Sequence, residues 1–241
     1  MGDVDSSSAG DRADAGDRSG SNLVRLPDDS SDVGRVVLPE GDLSADHPMR
    51  KVTWQVAYES GWSPDRAGKV ADLFNGMARK WDATRSSLLR TAPVLDALDR
   101  GGLRFAGRWL EVGAGTGIGS RTLAPAVEAA GGTLVTVDLA LQMLMNAPSR
   151  VAPQVQADAG RLPFVGDQFD GVAMINMLLF PDEVVRVLAS GGQLLWVNTS
   201  GEQTPIHLSP EEFVGALPGS WSARWARSGT GIWVVAERLS T

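Results

Sequence analysis

Glu111-Val112-Gly113-Ala114-Gly115-Thr116-Gly117 sets three glycines at every second position, directly after the apolar run that starts at Arg108. Backbone without Cβ atoms lets a ligand approach closely, and positive φ angles cost little there. An acid at the carboxyl end of a strand, followed by such a loop, is where open α/β sheets bind ligands. The rest of the chain supplies that kind of sheet. Strands are expected at Arg108–Val112, Thr133–Asp138, Val155–Asp158, Phe169–Ile175 and Gln193–Asn198, with helices after the loop to Ala130, through Leu141, Leu144 and Met145, and over Pro181–Ala189. This alternation implies a parallel sheet covered on both faces. The end differs. Trp221–Arg227 and Ile232–Arg238 are strands joined by Ser228-Gly229-Thr230-Gly231, too short for a crossover helix, so the pair is antiparallel.

Several glycine loops fit poorly. The dinucleotide pattern G-x-G-x-x-G fails, because its last position is Ile118 or Ser120, and no Gly-Lys-Ser/Thr follows for a phosphate loop. The spacing G-x-x-x-G-x-G is met by Gly113, Gly117 and Gly119, as in short-chain dehydrogenases. Those enzymes need a tyrosine downstream of the loop, and Tyr58, upstream of it, is the single tyrosine.

Charge and composition remove other classes. Residues 1–46 hold the whole formal charge of −7 and the rest of the chain balances. A neutral body with an acidic tail is not the footprint of a nucleic-acid binder. Cysteine is absent, which excludes disulfides, thiolate metal sites and methylation of pyrimidine C5 through a covalent thiol adduct. No metal site is expected. No basic stretch followed by an apolar one opens the chain, and the apolar run near 172–180 is short and interrupted by Asn176. The expectation is a cytoplasmic protein without membrane contact.

Residues 1–46, rich in Ser, Gly and Asp, are expected to form an acidic, largely disordered tail. Residues 47–102 are expected to form a helical cap. Ser63-Pro64-Asp65 starts one helix with a hydroxyl cap, proline at the first position and an acid at the positive end of the dipole. A second carries Leu88 to Leu98, broken or kinked at Pro93 and ended by Gly101-Gly102. Residues 103–241 form the core.

Asp138 ends the second core strand, where an acid can accept two hydrogen bonds from vicinal ribose hydroxyls; capping the following helix is a compatible role. Together with Gln156-Ala157-Asp158-Ala159, the run Arg161-Leu162-Pro163-Phe164 through Phe169-Asp170, and Arg186-Val187-Leu188 before Gly191-Gly192, the loop resembles the ordered motifs of class I S-adenosylmethionine-dependent methyltransferases of the small-molecule type 11 family. The resemblance covers residues 90–198 and implies a Rossmann-like doubly wound sheet of seven strands with S-adenosylmethionine as cofactor. It implies that Glu111, Gly113, Ala114, Gly115 and Gly117 place the amino-acid end of that cofactor. Asp138 and Leu139 would serve its ribose side, and Asp158 and Ala159 its adenine. Asn176, after the fourth core strand, would face the methyl group or else only satisfy backbone groups.

The Met177-Leu178-Leu179-Phe180 segment carries no general base, and its lack of charge argues against an aminopropyltransferase. His47 and His207 lie in polar, turn-like segments and are expected to be solvated. Trp221 and Trp225 read as a strand face in the core. Tyr58, Trp62 and Trp81 are candidates for an aromatic substrate lid, with core packing as the alternative. The reading is methyl transfer by in-line displacement to a small-molecule acceptor, with a non-catalytic cofactor-binding scaffold as the rival. It leaves the oligomeric state open.

Overall fold

The computed structural model describes residues 21–29, 47–85, 88–148 and 151–240. The elements are β1 (Asn22–Arg25), α1 (Pro48–Tyr58), α2 (Pro64–Arg85), α3 (Leu88–Arg100), β2 (Arg108–Val112), α4 (Ile118–Ala129), β3 (Thr133–Asp138), α5 (Leu141–Asn146), β4 (Gln154–Gln156), β5 (Phe169–Ile175), α6 (Pro181–Val187), β6 (Leu188–Asn198), α7 (Pro210–Ala216), β7 (Trp221–Ser228) and β8 (Gly231–Arg238). One sheet runs β1-β7-β8-β6-β5-β2-β3-β4. Every neighbouring pair is parallel except those made by β8, which runs antiparallel to both β6 and β7. This is the Rossmann-like, doubly wound sheet with an antiparallel finish.

Strand alternation builds two cores. Leu110, Val112, Val172, Met174, Leu194 and Trp196 face α1, α6 and α7. Trp109, Ala173, Leu195, Val197 and Val235 face α3 and α4. Successive residues point to opposite faces, so the middle of each central strand is apolar on both of them. Trp109 is paired directly with Gly171, and its indole lies where a Cβ at that position would stand.

Three expectations change. The sheet has eight strands, not seven. Asn22–Arg25, assigned from sequence to the tail, pairs with Ser222–Trp225 at the sheet edge. The Leu26 and Asp29 amides continue the ladder to Trp225 and Arg227, and the Arg25 guanidinium lies 5.0 Å from the centre of the Trp225 ring. The remainder of the expected tail, 1–20 and 30–46, lies outside the described residues. Second, of the break or kink expected at Pro93, the break does not occur, and α3 runs through the residue. The proline is buried, its ring against Gly231 at the start of β8, so tertiary packing outweighs the one lost backbone bond. Third, β6 begins at Leu188 and carries Gly191 and Gly192 within it.

A buried polar knot ties α3 to the hairpin. Asp96 accepts from the Trp233 indole at 2.6 Å and from the Arg100 guanidinium at 2.6 and 2.7 Å. Asp96→Ala leaves the indole N–H buried without an acceptor. The expected cost is about 2 kcal/mol in urea unfolding; a loss below about 0.5 kcal/mol would show that solvent replaces the carboxylate.

Candidate cofactor site

The carboxyl ends of β2, β3 and β4 bring the predicted cofactor residues together. Glu111 is 2% exposed. Its carboxylate accepts from the Ser120 hydroxyl. Burial pushes its pKa up to about 7, with Asp138 adding to the rise and Ser120 and Arg121 opposing it. Beyond it the chain turns across the end of β3: the Gly113 and Ala114 amides donate to the Val137 carbonyl at 2.9 and 3.0 Å. Gly113, Gly115 and Gly117 have φ of 75°, 57° and 78°. These are left-handed values that favour glycine. The Met177 thioether covers Gly113, whereas the space beside Gly115 is open.

Asp138 holds this loop. One carboxylate oxygen accepts from the Gly115 amide at 2.7 Å and the other from the Ala140 amide at 2.8 Å. Burial raises its pKa, and the Ala140 and Gly115 amides oppose that rise. The Leu139 amide faces the same carboxylate and also opposes the rise, and a carboxylate has about four acceptor positions, so a position remains for a hydroxyl group. The N-cap of α5 is Ala140, without a side-chain cap bond. Asp138 therefore braces the turn before the helix rather than capping it.

At the end of β4, Asp158 is no solvated loop acid. Its carboxylate accepts from the Trp62 indole at 2.9 and 3.0 Å and from the Gly160 amide at 2.8 Å. Ala159 is buried, and the Leu139 carbonyl accepts from the Gln156 amide group at 3.2 Å. Asn176 has φ 51°. Its side chain accepts from the Thr199 amide at 2.9 Å and donates to the Thr199 hydroxyl at 2.9 Å. It thus braces the ends of β5 and β6, the bland role set beside a methyl-facing one.

The three aromatic candidates separate. Trp62 reaches Asp158, and Trp81 packs with Phe74, Ala78, Ala140 and Met143 beside the end of β3. Tyr58 lies elsewhere. It stacks on Trp54 at 4.2 Å, donates to the Glu212 carbonyl at 2.5 Å, and lines a cavity of about 410 Å³ with Pro181, Asp182 and Pro218.

Of the two histidine expectations, that for His207 is corrected. His47 caps α1, its Nδ1 accepting from the Met49 amide at 3.1 Å. His207 is 8% exposed, with Nδ1 2.9 Å from the Asn198 Oδ1. Burial, then the nearby Arg50 charge, lowers its pKa to about 4. Local polarity misled here because distant groups close over the residue: Trp196 lies beside its ring at 6.0 Å, and Arg50 of α1 donates to its carbonyl at 3.4 Å. Trp221 is fully buried, as expected of a core strand face, while Trp225 is half-buried.

Sequence reasoning missed what α2 contributes. Asp82 accepts from the Thr116 hydroxyl and from Arg121, the latter at 3.1 Å. Asn75 accepts from the Gln142 amide at 2.9 Å. With Ala78 these residues recur at helical spacing, a signal that was legible as a face but not as a face turned to the glycine loop.

The sheet order and the glycine loop at the carboxyl end of β2 give the chain the Rossmann-like fold of class I methyltransferases. Residues 110–196 match the family model described as "Methyltransferase domain", the family whose motifs this segment resembles. A demethylmenaquinone methyltransferase of Mycobacterium tuberculosis (strain H37Rv) is 33% identical over 136 residues, covering 52% of this chain and 56% of that one. Its counterpart from Mycolicibacterium gilvum is 33% identical over 137 residues, covering 53% and 58%. The chain thus spans little more than half the length of these relatives. Among solved structures, a possible histamine N-methyltransferase from Thermotoga maritima aligns with TM-score 0.52 at 16% identity over 69% of this chain and 99% of that one. The [4+2]-cyclase SpnF aligns with TM-score 0.56 at 15% identity over 73% and 97%. Both likenesses concern the fold.

The family's cofactor is S-adenosylmethionine, and the residues fit it. Gly115 leaves room for a ligand against the backbone, Asp138 ends β3 with acceptor capacity to spare, and Asp158 follows β4 by two residues.

Proposed function

We propose that the chain is an S-adenosylmethionine-dependent methyltransferase for a small-molecule acceptor. The observation that carries this is Asp138, locked by the Gly115 and Ala140 amides beneath the open side of the glycine loop. When bound, S-adenosylmethionine supplies a methyl group already activated by the sulfonium charge. The protein then has to orient and exclude water. Asp138 would hold the ribose hydroxyls, Asp158 the adenine amino group and the Ala159 amide the ring. Leu139 would pack beside the ribose, and Glu111 with the loop from Gly113 through Ala114 to Gly117 would place the amino-acid end. Asn176, tied to Thr199, fixes the floor on the methyl side. The named relatives make a reduced naphthoquinone ring the acceptor class to try first.

Titration of the folded protein with S-adenosylhomocysteine should give saturable binding, followed by transfer of label from the methyl donor to a reduced 1,4-naphthoquinone. A protein that stays folded and shows no heat of binding would sink the cofactor assignment. The second reading is a cofactor-binding protein that transfers no methyl group. It is favoured by the mutual pairing of Asn176 and Thr199, which turns those polar groups toward each other rather than outward. Binding without transfer to any of a panel of phenols, amines and hydroquinones would support it.

A further inference from the structure

We propose that Trp62, on the turn between α1 and α2, is a positioning residue that makes the nucleoside site selective for adenine. This rests on the reading above, in which Asp158 meets the base of the cofactor. The indole N–H bridges both oxygens of Asp158, at 2.9 and 3.0 Å. It therefore lies between them and fixes how the carboxylate is turned. The Gly160 amide holds only Oδ1. Without Trp62, Oδ2 has no partner among the described residues, and the group is free to rotate.

The indole is itself held from several sides. It meets Phe180 edge-on at 5.1 Å and 84°. It lies over Gly160, where a Cβ would stand 2.7 Å from the indole Cδ1. The turn that carries it is pinned by the Gly61 amide to the Gln55 carbonyl at 2.8 Å, and by Arg66, which donates to the Gly61 carbonyl and, at 3.3 Å, to the Gln55 side chain. Trp62 thus transmits the position of two helices to one carboxylate.

That carboxylate has no proton to offer as an anion, and its fixed Oδ2 keeps one acceptor position. A base presenting an amino group completes it. A base presenting a carbonyl oxygen at the same place sets acceptor against acceptor, and a site built to pair a donor rejects such an analogue strongly. Adenine has the amino group and hypoxanthine the carbonyl. A carboxylate free to rotate would turn away from the carbonyl and discriminate less.

The test is calorimetry with S-adenosylhomocysteine and S-inosylhomocysteine on wild type and two variants. Wild type should prefer the adenine compound on the order of 100-fold. Trp62→Phe keeps a ring against Phe180 and removes the donor. It should weaken the adenine compound about tenfold, the size of one charge-assisted hydrogen bond, and bind the inosine compound no more weakly than wild type does. Gly160→Ala displaces the indole and should narrow the preference in the same way with every donor still present. Circular dichroism melts confirm that each variant is folded. An unchanged preference in folded Trp62→Phe overturns the proposal, and so does tighter binding of the adenine compound, which would make Trp62 a competitor of the base. Failure of wild type to bind either compound overturns the cofactor reading itself.

Discussion

Asp138→Ala should bind S-adenosylhomocysteine about 100-fold more weakly than wild type, the loss expected for two hydrogen bonds to a charged group at about 1.5 kcal/mol each. Its carboxylate also holds the Gly115 and Ala140 amides, so the variant releases the backbone that would contact the ligand. Both effects act in the same direction. Stability should change far less, because removing a carboxylate whose pKa is raised by burial also removes its desolvation cost. The expected change in urea unfolding is within about 1 kcal/mol. Asp138→Asn separates the parts. Its amide offers one oxygen, so either Gly115 or Ala140 faces an NH2 group instead of an acceptor. An intermediate loss of about tenfold is expected. Binding of Asp138→Ala within threefold of wild type would mean that the ribose lies elsewhere.

The core strands were legible because apolar runs alternate with helical stretches, and because the four residues Ser228–Gly231 admit only a tight antiparallel turn. The loop was legible because its glycines are needed at positive φ. Other features depend on pairings between distant parts of the chain. Asn22–Arg25 is four residues of mixed polarity, a strand only because β7, two hundred positions away in sequence, leaves an edge for it. Pro93 reads as a helix breaker until Gly231 offers its ring a place. His207 reads as a loop residue until Trp196 and Arg50 close over it. Trp62 and Asp82 are the instructive pair. Trp62 stands on a turn and Asp82 on a helix, and nothing local says that the indole ends on Asp158 or the acid on Thr116.

Glu111→Gln should raise stability above pH 7 and weaken the cofactor site together. Burial moves the folded-state pKa from the ordinary 4.5 to about 7. Between those values the folded protein keeps a proton that the unfolded chain has released, so stability falls as pH rises. It is complete below the ordinary value and lost by about pH 7, by an amount on the order of 3 kcal/mol. A neutral amide carries no such penalty and can still accept from Ser120. Wild type and Glu111→Gln should therefore unfold alike at pH 5 and diverge at pH 8, where the variant resists more urea. Binding should move the other way. In the proposed site the cationic amino-acid end of the ligand favours the ionised carboxylate, so binding near pH 7 should release protons. Calorimetry in two buffers of different ionisation enthalpy reads that release, which Glu111→Gln should abolish while weakening binding at least about tenfold. If Glu111→Gln were instead the less stable protein at pH 8, the Ser120 bond to the carboxylate would outweigh the cost of burying its charge. The acid at the head of the glycine loop would then be structural.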